Sequence, residues 1–221
     1  MSLFNDNHRD LQDAFDSRSL ADRLEEMIVL TTINEADAAF IESRQFFFLS
    51  SVDHEGQPTV SFKGGATGFV KVIDETTIAF PSYDGNGMYY SMGNMRGDDK
   101  IGILFLDFEK PHRIRFHGKA TVNTQDPLLA EYPEAQLIVR ISLTKMWVNC
   151  PRYIPILNKQ ADSKFVPEAG TQTPLPAWKR IDAMQDVLPK SDAERVANGP
   201  GAIKPEEYPA ALEKDKDPST D

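Results

Sequence analysis

The residues with the clearest capacity for chemistry lie in KGGATG, where Lys63 stands directly before a glycine-rich turn. An ammonium supplies charge and glycines let backbone N–H groups approach an anion, so the pairing suits a phosphate. The same letters also describe a plain hairpin turn with a solvated lysine, and the segment lacks the GK[ST] ending of a P-loop. A second glycine-bearing stretch, GNGMYYSMG from Gly85, has Tyr90 where the third glycine of a dinucleotide fingerprint would stand, which excludes that reading. His112 and His117 are five apart on or beside one strand and so face opposite sides, which argues against a shared metal. No metal site is expected. The single cysteine, Cys150, excludes an internal disulfide and any CxxC site.

The charge balance constrains the ligand further. With 34 acidic against 24 basic side chains, the formal charge is −10. Such a field repels nucleic acid and anionic membrane, so neither is expected as a partner, and an anionic ligand needs a locally basic or amide-rich pocket. No stretch of the chain approaches the roughly 20 apolar residues of a membrane span, and the N-terminus lacks the pattern of a signal peptide. A cytoplasmic location is the expectation.

Three segments must position these residues. From Arg9 to Arg44 apolar residues including Leu11, Phe15, Leu20, Leu24 and Met27 recur near the helical period, and Asn34 is a good N-cap for a second short helix. Residues 1–45 therefore read as a helical segment that packs as a lid. From Phe46 the pattern changes to strands, at Phe46 to Val52, Thr59 to Lys63, Gly68 to Ile73, Thr77 to Phe80, Lys100 to Phe108, Arg113 to Asn123 and Leu137 to Val148. Short turns join most of them, which argues an antiparallel barrel or sandwich over residues 46–158 with one interrupting helix near Met88 to Met95. Residues 159–221 form a Pro-rich extension with one amphipathic segment, Ala177 to Leu188, and a polar tail from Ser191 that wraps the surface or stays mobile.

Taken in order, RQFFFLSSVDHEGQP, SFKGG, GFVKVID, TTIAFP, DGNGMYYSMGNM, KIGILFLD and RIRFHGKA resemble the pyridoxamine 5′-phosphate oxidase-like, FMN-binding split-barrel family. The resemblance runs from about Phe46 to Pro151. It implies a mainly β fold with flanking helices, an antiparallel split β-barrel, and a homodimer that holds FMN in a groove between two barrels. Carried over by position, Ser61, Lys63 and the Gly64 and Gly65 amides lie near the phosphate or ribityl chain. Asn86, Ser91 and Asn94 match the polar positions of the turn and helix after the fourth strand, although Asn86 also suits a turn at positive φ.

Arg113 and Arg115 share one face of a strand; they reach the flavin, or they form an exposed face paired with acids. In KMWVNCPRY, Trp147, Cys150 and Arg152 occupy the region that in the family lies near the flavin edge, often from the partner subunit. Trp147 reads equally as a core or interface aromatic, and Cys150 as an inert buried thiol. The arginine- and histidine-rich C-terminal signature of the true oxidases is not recognisable in the Pro-rich tail, so that named activity is not implied. The expectation is an FMN-dependent oxidoreductase acting on a small molecule, with no residue assigned as catalytic acid or base; the alternative is a non-catalytic carrier of flavin, deazaflavin or haem. The apolar run from Ile103 to Phe108 exceeds what one half-buried face needs, in keeping with a dimer.

Overall fold

The structure, a computed structural model, describes residues 2–216, which divide into a first unit ending at Asn158 and a second from Lys159. The first unit opens with α1 (Asp6–Ala14), α2 (Arg18–Ile28) and α3 (Glu35–Glu42). Seven strands follow: β1 (Phe46–Val52), β2 (Pro58–Gly64), β3 (Lys71–Asp74), β4 (Thr77–Ser82), β5 (Lys100–Asp107), β6 (His112–Asn123) and β7 (Leu137–Val148). One helix, α4 (Tyr90–Gly97), interrupts them between β4 and β5. The strands form one sheet in the order β2-β1-β5-β6-β7-β4-β3, and every neighbouring pair is antiparallel.

Alternation along the strands builds the core. Phe47 and Leu49 of β1, Ile103 and Phe105 of β5, and Ile114 and Phe116 of β6 point inward and are buried, with Phe80 and Ile141 from the other half of the sheet. Their alternate neighbours point outward. The longest pair, β6 and β7, carries a bulge at His117/Gly118, and an added Cβ at Gly118 would collide with Ile141. The bulge lets Lys145 and Leu143 flank one residue step and turns the strand ends.

The helices depart from the lid expectation. Asn34 caps α3 by accepting the Asp37 N–H at 2.9 Å, and Ile41 of α3 is fully buried. In contrast, α1 and α2 bury none of their residues, although their apolar periodicity is strong. Their stripe faces away from this core.

The second unit is folded, not a trailing tail. Its described residues contain three 3-10 turns (Ala177–Arg180, Asp182–Met184 and Pro205–Glu207), α5 (Lys190–Asn198) and α6 (Tyr208–Lys216). The amphipathic segment Ala177 to Leu188 does not form the expected helix because Ile181 leaves helical conformation to pair with Ile203, through bonds of 2.7 Å and 2.9 Å. A buried ion pair joins Lys179 to Asp192 at 2.8 Å, and Asp215 accepts the Ala177 amide at 2.6 Å. The expected tail thus contributes core groups, except residues 217–221, which lie outside the described residues. No helix among the described residues is long and apolar enough to cross a membrane.

Candidate functional site

Period-two alternation on β2 sends Thr59, Ser61 and Lys63 to one side and Val60 and Phe62 to the other. The first set faces the turn that leaves β4 and the start of α4. Between them lies a cavity of about 350 Å³ lined by Thr59, Ser61, Lys63, Tyr83, Asn86, Tyr89, Tyr90 and Ser91 among others. That size falls at the lower end of small-molecule sites, about 300–1,000 Å³.

The electrostatics of this cavity are set by one cation. Lys63 Nζ donates to Ser91 Oγ at 2.8 Å, and burial pushes the ammonium below its usual lysine value. Among the described residues that line the cavity there is no carboxylate. Ser91 sits in the first turn of α4, whose N-cap, Tyr89, makes no side-chain capping bond. First-turn amides carry the positive end of the helix dipole and lack intrahelical acceptors. A half-buried ammonium, two hydroxyls and uncapped amides therefore converge where a counter-charge is lacking.

Two tyrosines brace the mouth. Tyr89 adopts φ 47°, a left-handed conformation that costs a non-glycine residue energy. Its hydroxyl donates to Gln136 Oε1, and that of Tyr90 to Asp53 Oδ2, each at 2.8 Å. Burial raises the Tyr83 hydroxyl above its ordinary value, so it stays a neutral donor.

The remaining sequence candidates separate into three groups. Asn86 lines the cavity, but its Oδ1 accepts the Met88 amide at 3.1 Å, and the positive φ of this turn falls on Gly87 and Tyr89 instead. Asn94 lies one turn behind Ser91 and donates to Ser51 Oγ at 3.3 Å; Ser51 is in turn 3.2 Å from Thr59 Oγ1. This chain of hydroxyls fixes α4 against β1 and β2.

Neither Gly64 nor Gly65 lines the cavity near which their amides were anticipated. The Gly65 N–H donates to the Gln45 carbonyl at 2.9 Å. Packing demands glycine at Gly65, against the buried Phe69, whereas at Gly64 the near atom is the ring end of the exposed Phe62. A Cβ on Gly65 would stand 2.6 Å from Phe69 Cγ, and one on Gly64 2.8 Å from Phe62 Cε1.

Arg113, Arg115, Trp147 and Arg152 gather elsewhere, around the outward face of β6 and β7. Arg115 is opposite Trp147 in register, and Trp147 meets His117 edge-on at 4.9 Å. Burial, with the charges of Arg115 and Lys145, holds the His117 imidazole below its usual value. Arg113 has a buried Nε with no partner among the described residues. Arg152 is exposed beside Cys150, and Cys150 is itself exposed, not buried. The Arg152 amide donates to its sulfur and holds the thiol below its ordinary value.

Thr59, Tyr83, Tyr89 and Tyr90 belong to the cavity and were not anticipated. Thr59 was findable, since it precedes Ser61 and Lys63 at the same period of two.

Residues 33–152, more than half of the chain, match the family described as pyridoxamine 5′-phosphate oxidase. No curated protein matches the sequence. Among solved structures, HupZ from Group A Streptococcus is 19% identical with a TM-score of 0.43, over 52% of this chain and 93% of its own. An FMN-binding protein from Syntrophomonas wolfei subsp. wolfei is 14% identical with a TM-score of 0.40, over 63% and 97%. HutZ, a haem storage protein from Vibrio cholerae, is 13% identical with a TM-score of 0.40, over 52% and 94%.

Proposed function

Because this chain belongs to the pyridoxamine 5′-phosphate oxidase family by the match of residues 33–152, we propose that the cavity beside Lys63 takes the phosphate of FMN and that the protein is an FMN-dependent oxidoreductase acting on a small molecule. The observation that carries this reading is the Lys63 ammonium, half-buried and donating to a serine hydroxyl, in a cavity with no carboxylate among the described lining residues. In a chain of formal charge −10, such a pocket selects an anion. Lys63 supplies the charge, Ser61 and Ser91 supply hydroxyl donors, and the first amides of α4 complete the oxygen shell.

When bound, the flavin supplies hydride or electron transfer. This chain's part is to bind and orient it. Tyr89 and Tyr90 wall the mouth, and Asn94 holds α4 in place through Ser51. The Trp147, Arg113, Arg115 and Arg152 cluster lies outside this cavity, and in our reading it meets the flavin of a second copy, so the protein works as a homodimer.

One observation favours a second reading, a carrier of flavin or of another planar cofactor such as a deazaflavin or haem. Among the described lining residues the only side chains that titrate are Lys63 and tyrosines, none suited to proton transfer near neutral pH. The absorption spectrum of purified protein separates flavin from haem, and reduction by a nicotinamide followed by reoxidation separates enzyme from carrier.

Lys63→Ala tests the anchor. Loss of one charge-assisted contact to a phosphate costs roughly 1.5–3 kcal/mol, about ten- to a hundred-fold in affinity. FMN titration should show that loss, and riboflavin, which lacks the phosphate, should bind almost as before. Equal losses for both flavins would remove Lys63 as the anchor and move the role to Arg113 or Arg115.

A further inference from the structure

The second unit lies beyond residues 33–152 and holds a cavity of about 1,040 Å³, against about 350 Å³ for the one beside Lys63. Its walls come from the Ala177–Arg180 turn, α5, the loop that follows α5, and α6. Arg180 and Arg195 both line it. The Arg180 Nε donates to the Gly201 carbonyl at 3.0 Å and its Nη2 to the Pro200 carbonyl at 3.2 Å. Arg195, near the end of α5, donates through Nη2 to the Thr173 carbonyl.

Among the described residues neither guanidinium is bonded to a carboxylate. A carbonyl fixes the plane of the fork without cancelling its charge. Since a guanidinium has five N–H donors and these bonds use only part of them, each arginine keeps donors for an oxyanion and is already oriented to give them.

Three carboxylates reach the same lining, and two are engaged. Asp215 accepts the Ala177 amide at 2.6 Å and stands 3.8 Å from Lys164, and Glu207 accepts the Lys204 amide at 2.8 Å. The third, Glu194, precedes Arg195 on α5 and so leaves the helix roughly 100° away from it. Against them stand four cations, Lys164, Arg180, Arg195 and Lys214, although residues 159–221 as a whole have twelve acidic and nine basic side chains. Positive charge is therefore gathered at this cavity in an otherwise acidic segment. Pro174, Leu175, Ile203, Ala210 and Ala211 add apolar wall. A cavity near the upper end of small-molecule sites, about 1,000 Å³, is far larger than one phosphate or carboxylate group, so the anionic group has to be one end of a larger, partly apolar molecule.

We propose that this cavity binds a small organic oxyanion, its phosphate or carboxylate held by Arg180 and Arg195 and its apolar body lying against Leu175, Ile203 and Ala211. The site shares no residue with the cavity beside Lys63, and it stands whether or not that cavity takes FMN.

Calorimetric titration of the full chain with three probes of similar shape, phenyl phosphate, benzoate and phenol, tests this. At least one anion should bind with a Kd of roughly 0.1–1 mM, and phenol at least about tenfold more weakly. Which anion binds more tightly separates a phosphate ligand from a carboxylate one. In Arg180→Gln and in Arg195→Gln the anion should lose about ten- to a hundred-fold in affinity, as for a lost charge-assisted contact. Lys63→Ala should leave this binding in place. Because Arg180 also braces the loop after α5, a variant at an exposed side chain checks the sign from the other direction: Glu194→Gln removes an acid from the lining and should tighten the anion by about two- to fivefold. No binding of either anion at about 10 mM, equal binding of phenol, unchanged affinity in both arginine variants, weaker binding in Glu194→Gln, or loss of binding in Lys63→Ala each overturns the inference. The last of these would place the anion in the first cavity instead.

Discussion

Lys63 shows what one residue in the wrong electrostatic surroundings reveals. Burial depresses its folded pKa below the ordinary lysine value, and among the described residues its ammonium donates to Ser91 Oγ. The unfolded chain then binds more protons than the folded one in the alkaline range. Stability of the ligand-free protein should therefore rise with pH from the depressed folded value up to the unfolded value, and the penalty is fully present at neutral pH. Lys63→Met removes it. The variant should melt at a higher temperature without ligand and lose the alkaline rise in stability. Bound phosphate reverses the sign, because a dianion favours the protonated lysine; FMN affinity should fall as pH rises through the depressed pKa, in the wild type but not in Lys63→Met. Thermal melts and flavin titrations over pH check both, and a flat wild-type stability profile would mean that the folded lysine titrates as it does in the unfolded chain. The lysine was legible in the sequence because charge beside glycine is a local signal. Ser91 as its partner was not, since the contact spans 28 positions and depends on how α4 meets β2.

At the scale of elements, strands and glycines were legible to different depths. Seven strands were expected and seven form; Phe46–Val52 and Leu137–Val148 agree to the residue, because burial of one face imposes period two on the sequence, whereas the third begins at Lys71 and not at Gly68, since Gly68 takes a positive φ and residues 68–70 form a turn. The stripe on α1 and α2 was equally legible as a helix signal. Periodicity names the apolar face but not what covers it, so the lid reading failed. Ala177 to Leu188 misled for a related reason: helical spacing there is overridden by the pairing of Ile181 with Ile203, a partner remote in sequence. The KGG turn was read as exposing amides to a ligand, whereas the Gly65 amide is spent on Gln45 and its bare Cα receives Phe69. Gly65→Ala separates these roles. Overpacking against Phe69 should destabilise the first unit by about 1–3 kcal/mol, measured by denaturant unfolding, while FMN affinity of the folded protein stays within about twofold. A large loss of affinity at unchanged stability would restore the amide to the phosphate site.

At the scale of the whole molecule, each of the two units has interior groups of its own, and this changes what truncation should do. The Pro-rich composition of the last third suggested a dispensable tail from Ser191, because proline and charge dilute any hydrophobic pattern. A single ion pair was the missing information: Lys179 is 2% exposed and finds its counter-charge at Asp192, just beyond the suggested cut. Ending the chain at Lys190 removes Asp192, Val196 and Asp215, and with them the carboxylate paired with the buried Lys179 ammonium and the acceptor of the Ala177 amide. Breaking a buried pair from one side costs about 3–5 kcal/mol, a large fraction of the stability of any small unit. Ending the chain at Asn158 removes the Lys179–Asp192 pair and the Ala177–Asp215 bond whole, each partner with the other. The shorter chain should therefore be the better behaved of the two. A chain ending at Asn158 is expected to keep the strand signal in circular dichroism, its melting transition and its FMN affinity. A chain ending at Lys190 should bind a dye for exposed apolar surface and lose solubility on warming. Should the Asn158 chain lose flavin while keeping its fold, the second unit would have to be counted as part of the site.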